Sequence, residues 1–517
     1  MMNRASRTYK ALNNMRIAFI CQVLYFMLSF ICRTIFIRLL GAEYLGINGL
    51  FGNIFNILSL AELGFEEALI YRMYQPIAMN DTEKIKMWID FCRKMFRVVL
   101  IVVAGLGLSI IPFLKYLVQT PQVEESVTLL YVLFLVNSLT SYLFVYRFTI
   151  YLADQKSYIV NLFRLIFNIL LNVAQIIGLL VTHNYIVYVL LMIASNLLNN
   201  VFCSRRATKD YPYLQEKQIM PITIEEKAKL WTDIKSTALQ KIGSMIFYQT
   251  DYIMISILLG IQYIGYVSNY LLLINTINGA IGQVIGSISA SVGNLNVLEN
   301  EEKKLDAFNK IYFINAWIYG YIGTGFLLLL NKFIGEIWLD PAYLLTTGVM
   351  YALVIKFYMN GVHYTAYIFR KSMGYFSQFR WVPLFAAIVN IILEVLLFKR
   401  FGLIGLFIAP ILIRSLIVEP VDILVTYKNG LKSACVKYYI RHMGYDALFV
   451  CLFFIIRFFL SFIKLGGLPG FLIDILFITV VFNGAMVLIF SRTKMFMELW
   501  KKLKDSMRKG EKNNKKI

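Results

Sequence analysis

Apolar runs of about 20 residues or more recur from Ile17 to the neighbourhood of Phe490, joined by short polar links, and no fold that meets water on every side can bury them all. By the length a bilayer requires, about fourteen candidate spans can be drawn. They cover residues 15–39, 43–71, 88–114, 124–152, 158–182, 185–204, 235–259, 264–292, 308–331, 343–369, 378–398, 402–427, 443–464 and 470–491. The first run continues past Ile35, too long for a signal-peptide core, and no small-residue cleavage site closes it, so it is expected to stay as the first transmembrane helix. At 59% hydrophobic and 16% charged over 517 residues, the chain lacks the polar surface of a soluble enzyme. An all-α polytopic membrane protein is predicted.

One long polar link, 205–232, carries Arg206, Lys209, Lys217, Lys227 and Lys229 and divides the spans. The expected layout is a six-helix lobe over 1–204, the linker 205–232, a second six-helix lobe over 233–427, two additional helices over 428–491 and a basic tail over 492–517. The net charge is +21, from 51 basic and 30 acidic residues. These cations lie between apolar runs rather than on one soluble face, so they report orientation in a bilayer and do not imply a nucleic-acid partner. Counted over alternate links, about 36 Lys and Arg fall on the side of the N-terminus and about 6 on the other. Both termini are expected to be cytoplasmic.

An internal repeat accompanies this layout. Leu39-Leu40-Gly41-Ala42-Glu43-Tyr44-Leu45-Gly46 matches Leu258-Leu259-Gly260-Ile261-Gln262-Tyr263-Ile264-Gly265 at a constant offset of about 219 residues. Each octet falls at the turn between the first and second helices of its set. Two lobes entering from the same side, related by a pseudo-two-fold axis along the membrane normal, with a substrate site between them, are the architecture this predicts.

Enzymatic chemistry finds little support. No Gly-Lys dipeptide occurs, so there is no P-loop, and His183, His363 and His442 lack metal-ligand spacing. Cys21, Cys32, Cys92, Cys203, Cys435 and Cys451 form no C-x-x-C and read as packing residues. The external links are too short for the loop a membrane polymerase would need.

The stretch Arg33-Thr34-Ile35-Phe36-Ile37-Arg38-Leu39-Leu40-Gly41-Ala42-Glu43-Tyr44-Leu45-Gly46, followed by Gly49-Leu50-Phe51 and Leu60-Ala61-Glu62-Leu63-Gly64-Phe65, resembles the start of Wzx-type polysaccharide flippases. These belong to the superfamily that also holds lipid II flippases and MATE drug antiporters. The resemblance covers the whole chain in topology and about fifty residues in motif. It implies a non-enzymatic movement of undecaprenyl-diphosphate-linked oligosaccharide from the inner to the outer leaflet of the bacterial cytoplasmic membrane, by alternating access, for exopolysaccharide or other surface polysaccharide. It implies no cofactor, H⁺ or Na⁺ as coupling ion, and membrane lipids, polymerase and glycosyltransferases as partners. In lipid II flippases the two extra helices resemble a groove for the isoprenoid tail.

A diphosphate headgroup crossing hydrocarbon needs a cationic, hydrated path, and the planar fork of Arg suits phosphate. Arg33 lies about 24 Å along the first helix at 1.5 Å per residue, too deep to reach the near interface easily; a structural tie is its other reading. Arg164, Lys356 and Arg414 also fall within spans and are candidate substrate-binding cations, the alternative being ion pairs with acids such as Glu394 or Glu419. The repeat offset maps Asp251 to Cys32, beside Arg33, so Asp251 is expected to face Arg33 as a gating pair. Glu62 and Glu66 lie four apart, on one helix face, and are candidates for binding the coupling ion or for balancing Arg16 or Arg72. His363 reads as a hydrogen-bonded packing residue. Arg457 and Asp474 are expected to pair with each other, and Gly279, Gly282 and Gly286 to mark a close helix contact. The tail from Lys494 to Lys516 has an amphipathic start suited to anionic lipid.

Two other readings stay open. A MATE-like exporter of small cationic compounds would want dominant acids within the spans. A membrane polymerase acting on the same lipid carrier would lengthen the glycan.

Overall fold

The computed structural model describes residues 4–59, 65–118, 123–216, 220–298, 300–375, 377–463, 465–501 and 504. Among these the chain is helical throughout, with no strand. The helices of the first half are α1 (Arg4–Leu58), α2 (Phe65–Ala78), α3 (Thr82–Ile110), the single turn α4 (Leu114–Leu117), α5 (Val127–Thr140), α6 (Val145–Ala153), α7 (Ser157–Thr182) and α8 (Tyr185–Asp210). They are followed by α9 (Ile224–Leu259), α10 (Ile261–Leu298), α11 (Glu301–Lys332), α12 (Thr347–Ser372), α13 (Val382–Phe401), α14 (Leu403–Ile413), α15 (Glu419–Leu424), α16 (Val436–Leu460) and α17 (Gly467–Phe490).

Local chemistry sets many of these ends. Asp81 accepts from the Lys84 amide at 3.0 Å to open α3, and Asn300 accepts from the Lys303 amide at 3.1 Å to open α11. Thr223 and Glu226 form a reciprocal capping box at the start of α9. Within α1, Gly41 breaks the helix with φ 87° and ψ −176°, so the 55-residue element is two helices meeting at a kink.

Nine helices among the described residues are long and apolar enough to cross a membrane, or ten if α5 and α6, bent by 48°, form one span. The expected count is larger partly because α1 supplies both the first predicted span and the beginning of the second, on either side of Gly41. Large apolar side chains face outward along these helices; Val181 is 75% and Leu488 80% exposed. A water-facing surface does not tolerate this, whereas hydrocarbon solvates it. The chain is a multi-pass membrane protein.

The chain divides into two compact units, 1–268 and 269–517, with the division inside α10. Counting spans places the division in the linker; packing places α9 with the first unit, where it contacts α1 and α2. The core of that unit sets Trp88, Cys92 and Phe96 of α3 against Phe65 and Leu69 of α2 and Tyr151 of α6. In the second unit Phe308 of α11 meets Phe369 of α12 at 5.0 Å between ring centres, and Tyr312 meets Tyr438 of α16 at 5.1 Å.

The polar linker is partly structured. After α8 a short 3₁₀ turn, Pro212–Gln215, leads to Glu216, whose carboxylate takes the Lys86 ammonium at 2.6 Å. Tyr211 donates to Asp154 at 2.5 Å and Lys156 pairs with the same carboxylate at 2.7 Å. Lys217 lies outside the described residues.

One expected pair, Arg457 with Asp474, is replaced by two other contacts. Asp474 of α17 pairs with Lys332 at the end of α11, at 2.6 Å, because α11 and α17 are packed neighbours. Arg457 of α16 instead donates to the Tyr351 hydroxyl of α12 at 3.3 Å. Among the described residues a Cβ added at Gly279 or Gly282 meets nothing within 4 Å, so no close helix contact is seen at those glycines, and the side-chain position of Gly286 lies outside the described residues. The start of the tail turns back on the second unit: Phe496 stacks on Trp317 at 6.1 Å, and Glu498 meets the Lys310 ammonium. The rest of the tail, 505–517, is outside the described residues.

Candidate functional site at the repeat seam

The two octets of the repeat take the same backbone shape. Gly260, the counterpart of Gly41, has φ 95° and ψ 165°, against 87° and −176°. A Cβ is strongly disfavoured at such angles, which explains glycine at both positions. Each break redirects the chain, so that the start of α10 lies along the segment of α1 that follows Gly41.

The two segments touch reciprocally. A Cβ added to Gly46 would collide with the Ile261 carbonyl, and one added to Gly265 would collide with the Ala42 carbonyl. By the repeat offset Ile261 corresponds to Ala42 and Gly265 to Gly46, so one contact is the image of the other. A Cβ at Gly49 would lie 3.0 Å from both Ile264 and Tyr252. Leu45 and Ile264, another equivalent pair, are 1% and 0% exposed. Backbone meets backbone here because neither repeat places a side chain between them.

Arg33 sits at the edge of this seam, half-buried on α1. Its Nη2 donates to Ser268 Oγ at 2.6 Å, and Ser268 Oγ donates to the Gly265 carbonyl at 2.8 Å. Arg33 and Tyr252 are counterparts in the repeat, as are Gly49 and Ser268. The Arg33 contact with Ser268 is therefore the image of the Tyr252 contact with Gly49. Tyr188 and Tyr252 are its aromatic electrostatic neighbours, with Cys32 beside it in sequence. Cys32 Sγ reaches Gln175 Oε1 at 3.8 Å, and Gln175 donates to the Tyr188 carbonyl at 3.2 Å. The guanidinium thus meets a serine hydroxyl and lies in the field of two phenols, with the Cys32–Gln175 pair behind it in α1 and α7.

Asp251 is buried on α9, within the same unit as Arg33 rather than on a separate lobe, and the Tyr252 phenol lies in the field of both. Glu66 is half-buried on α2, close to Cys92. Glu62 lies outside the described residues. Arg164 stands exposed on α7 beside the exposed Leu162 and Ile166. In the second unit the Lys356 ammonium lies 5.9 Å from the centre of the Phe407 ring, and Arg414 is buried where a π-helical turn, Arg414–Val418, begins. Glu394 accepts from Asn390 at 2.6 Å, and Glu419 accepts from Tyr438 at 2.7 Å.

Also in the first unit, α1, α3, α4 and α9 enclose a cleft of about 340 Å³ lined by Ile54, Leu58, Ile110, Leu117, Ile253 and their apolar neighbours, with no polar surface. Such a groove suits a hydrocarbon chain.

Sequence reasoning missed a buried cluster in the second unit. His363 Nε2 lies 2.7 Å from Asp422 Oδ2, and the Arg370 Nε donates to the other oxygen of the same carboxylate. The packing role expected of His363 fits this bond; its acidic partner had no local signal.

Comparison with solved structures places the architecture. The lipid II flippase MurJ in an inward closed conformation superposes with a TM-score of 0.66 at 14% identity, over 91% of this chain and 98% of that one. An inward-facing multidrug resistance MATE family transporter of the MOP superfamily gives 0.61 at 13% identity, over 82% and 96%. The chain has the MurJ and MATE fold. No protein-family model matches the sequence, and no curated protein matches it. Within this fold, the seam of Gly46 and Gly265 joins the segment after the α1 kink to the first turns of α10.

Proposed function

We propose that the chain is a flippase that carries a polyprenyl-diphosphate-linked oligosaccharide from the inner to the outer leaflet of a bacterial cytoplasmic membrane, with both termini cytoplasmic. The observation that carries this reading is Arg33: a guanidinium held half-buried along a spanning helix by a serine hydroxyl, able to exchange that neutral acceptor for a phosphate oxygen. A phosphate oxygen carries charge of its own and can take two parallel bonds from the planar fork, so it is a stronger acceptor for the guanidinium than a serine hydroxyl. The apolar cleft in the same unit supports a lipid-tailed substrate. In this proposal Arg164, Lys356 and Arg414 are further substrate-binding cations, and Asp251, Glu62 and Glu66 act in gating or ion coupling. The mechanism is relocation by alternating access, without bond making or breaking.

The test is reconstitution of the full chain with a labelled lipid-linked oligosaccharide. Leaflet movement with unchanged glycan length is the expected result; glycan growth would establish a polymerase. The MATE match favours a second reading, export of small cationic compounds. Efflux of a cationic dye without movement of the lipid would establish it.

A further inference from the structure

The second unit holds a cluster of titratable groups that the proposed substrate path does not use. It centres on His442 of α16. Its Nδ1 lies 2.6 Å from the Tyr312 hydroxyl of α11, while its Nε2 lies 3.5 Å from Asp446 Oδ2 and 3.7 Å from Glu419 Oε1. Each carboxylate is also bound by a phenol: Tyr438 donates to Glu419 at 2.7 Å, and Tyr358 of α12 donates to Asp446 at 2.6 Å. The imidazole stacks on Tyr438 at 5.6 Å between ring centres.

The neighbouring cations are occupied elsewhere. Arg441 donates to Asn309, and Lys310 of α11 is held by Asp306 and Glu498. The groups facing the imidazole are thus two carboxylates and the phenols of Tyr312 and Tyr438, with Tyr358 behind Asp446. With His442 neutral, two negative charges share a poorly solvated space. A proton on the imidazole offsets one of them, and Nε2–H can draw in a carboxylate oxygen now just beyond hydrogen-bond distance. Side-chain exposure falls from 40% at Asp446 through 13% at His442 to 5% at Glu419, so the cluster runs from the outer face of α16 inward.

The contrast with the other buried histidine is instructive. Asp422 and Arg370 are each 1% exposed, and that carboxylate already holds a permanently charged guanidinium on one oxygen and His363 on the other. Glu419 and Asp422 sit three residues apart on α15, a six-residue helix bracketed by π-helical turns, Arg414–Val418 and Val425–Gly430. Such turns in a helix often mark functional segments. Asp422 ties α15 to α12 through a guanidinium that stays charged at any pH, while Glu419 meets α16 through a contact whose strength depends on a proton.

We propose that His442, Glu419 and Asp446 form a proton-binding site in the second unit, distinct from the acids Asp251, Glu62 and Glu66 of the first, that couples this transporter to a pH gradient, with α15 as the element that responds. The proton is taken up on the His442 imidazole in one conformation and released from it in the other. This inference rests on the flippase reading only for the cargo that the proton drives.

The experiment uses the full chain in proteoliposomes with a fluorescent polyprenyl-diphosphate glycan and an imposed pH difference. A difference of about one unit, a tenfold change in proton activity, is expected to accelerate lipid movement in the parent protein. In His442→Gln the movement without a gradient persists and the acceleration is lost. Acceleration retained in His442→Gln, or absent from a parent protein that does move the lipid, overturns the proposal. If the parent protein moves no lipid, the flippase reading fails by itself. Proton uptake by the solubilised chain between about pH 8 and 5, followed with an indicator dye, then decides. Both His442→Gln and the double variant Glu419→Gln/Asp446→Asn should take up about one proton fewer, and wild-type uptake by the double variant overturns the site.

Discussion

At Gly46 and Gly265 a single methyl group is enough to set backbone against backbone, and the effect should be measurable. Gly46→Ala and Gly265→Ala should each lower thermal stability in detergent, by about 1–3 kcal/mol, as overpacking does. Gly52, on α1 with Gly46 and with no described residue within 4 Å of an added Cβ, is the control. Gly52→Ala should be neutral or stabilising by up to about 1 kcal/mol through helix propensity. Arg33→Lys keeps the charge and loses the fork, so lipid-glycan movement in the reconstituted assay should fall about tenfold, with Arg33→Ala lower still. If Arg33 is only a structural tie, Arg33→Lys should transport at the parent rate. The repeat that carries these glycines was legible in the sequence, but their roles were not: spacing pointed to Gly279 and Gly282 for close contact, whereas the left-handed backbone at Gly41 and Gly260 and the carbonyls facing Gly46 and Gly265 come from tertiary packing. The His442 cluster was not legible: Tyr312, Glu419 and Asp446 come from three helices, and nothing local in the sequence shows which way their side chains turn.

Among the elements, the linker region illustrates what charge counting misses. Read as a polar boundary, it proves to be pinned at its start by Glu216 on Lys86 and by Tyr211 on Asp154. Burial works to raise the Asp154 carboxyl, but Lys156 and the Tyr211 hydroxyl outweigh it and hold the group below its ordinary value. A carboxylate depressed in the folded state contributes stability above its unfolded value and loses that contribution as the pH falls through the folded one. The segment from Tyr211 to Glu216 should therefore loosen only below about pH 4. Asp154→Asn should loosen it already at neutral pH, read as faster proteolysis within 205–220. The same lesson holds for Arg457 and Asp474. Their depth was readable, but helix rotation turned one toward Tyr351 and the other toward Lys332.

For the whole molecule, the fold class was readable because hydrocarbon imposes a composition on any chain that crosses it. The count of spans was less so, since α1 continues through its kink and α12 carries Lys356, His363, Arg370 and Lys371 along its length. Orientation is testable as a single pattern. Cysteines introduced at Arg38 and Lys115 should react with an impermeant maleimide added outside intact cells, while one introduced at Arg206 should react only after permeabilisation. Reversed labelling would invert the proposed direction of transport.

The reciprocal glycine contact has a consequence for how sequences of this type can drift. Because main chain touches main chain, polarity and charge at those two points are irrelevant and only bulk is censored. A saturation scan should show two narrow intolerant positions in step with one another, with no single swap in either copy able to rescue a bulky change in the other.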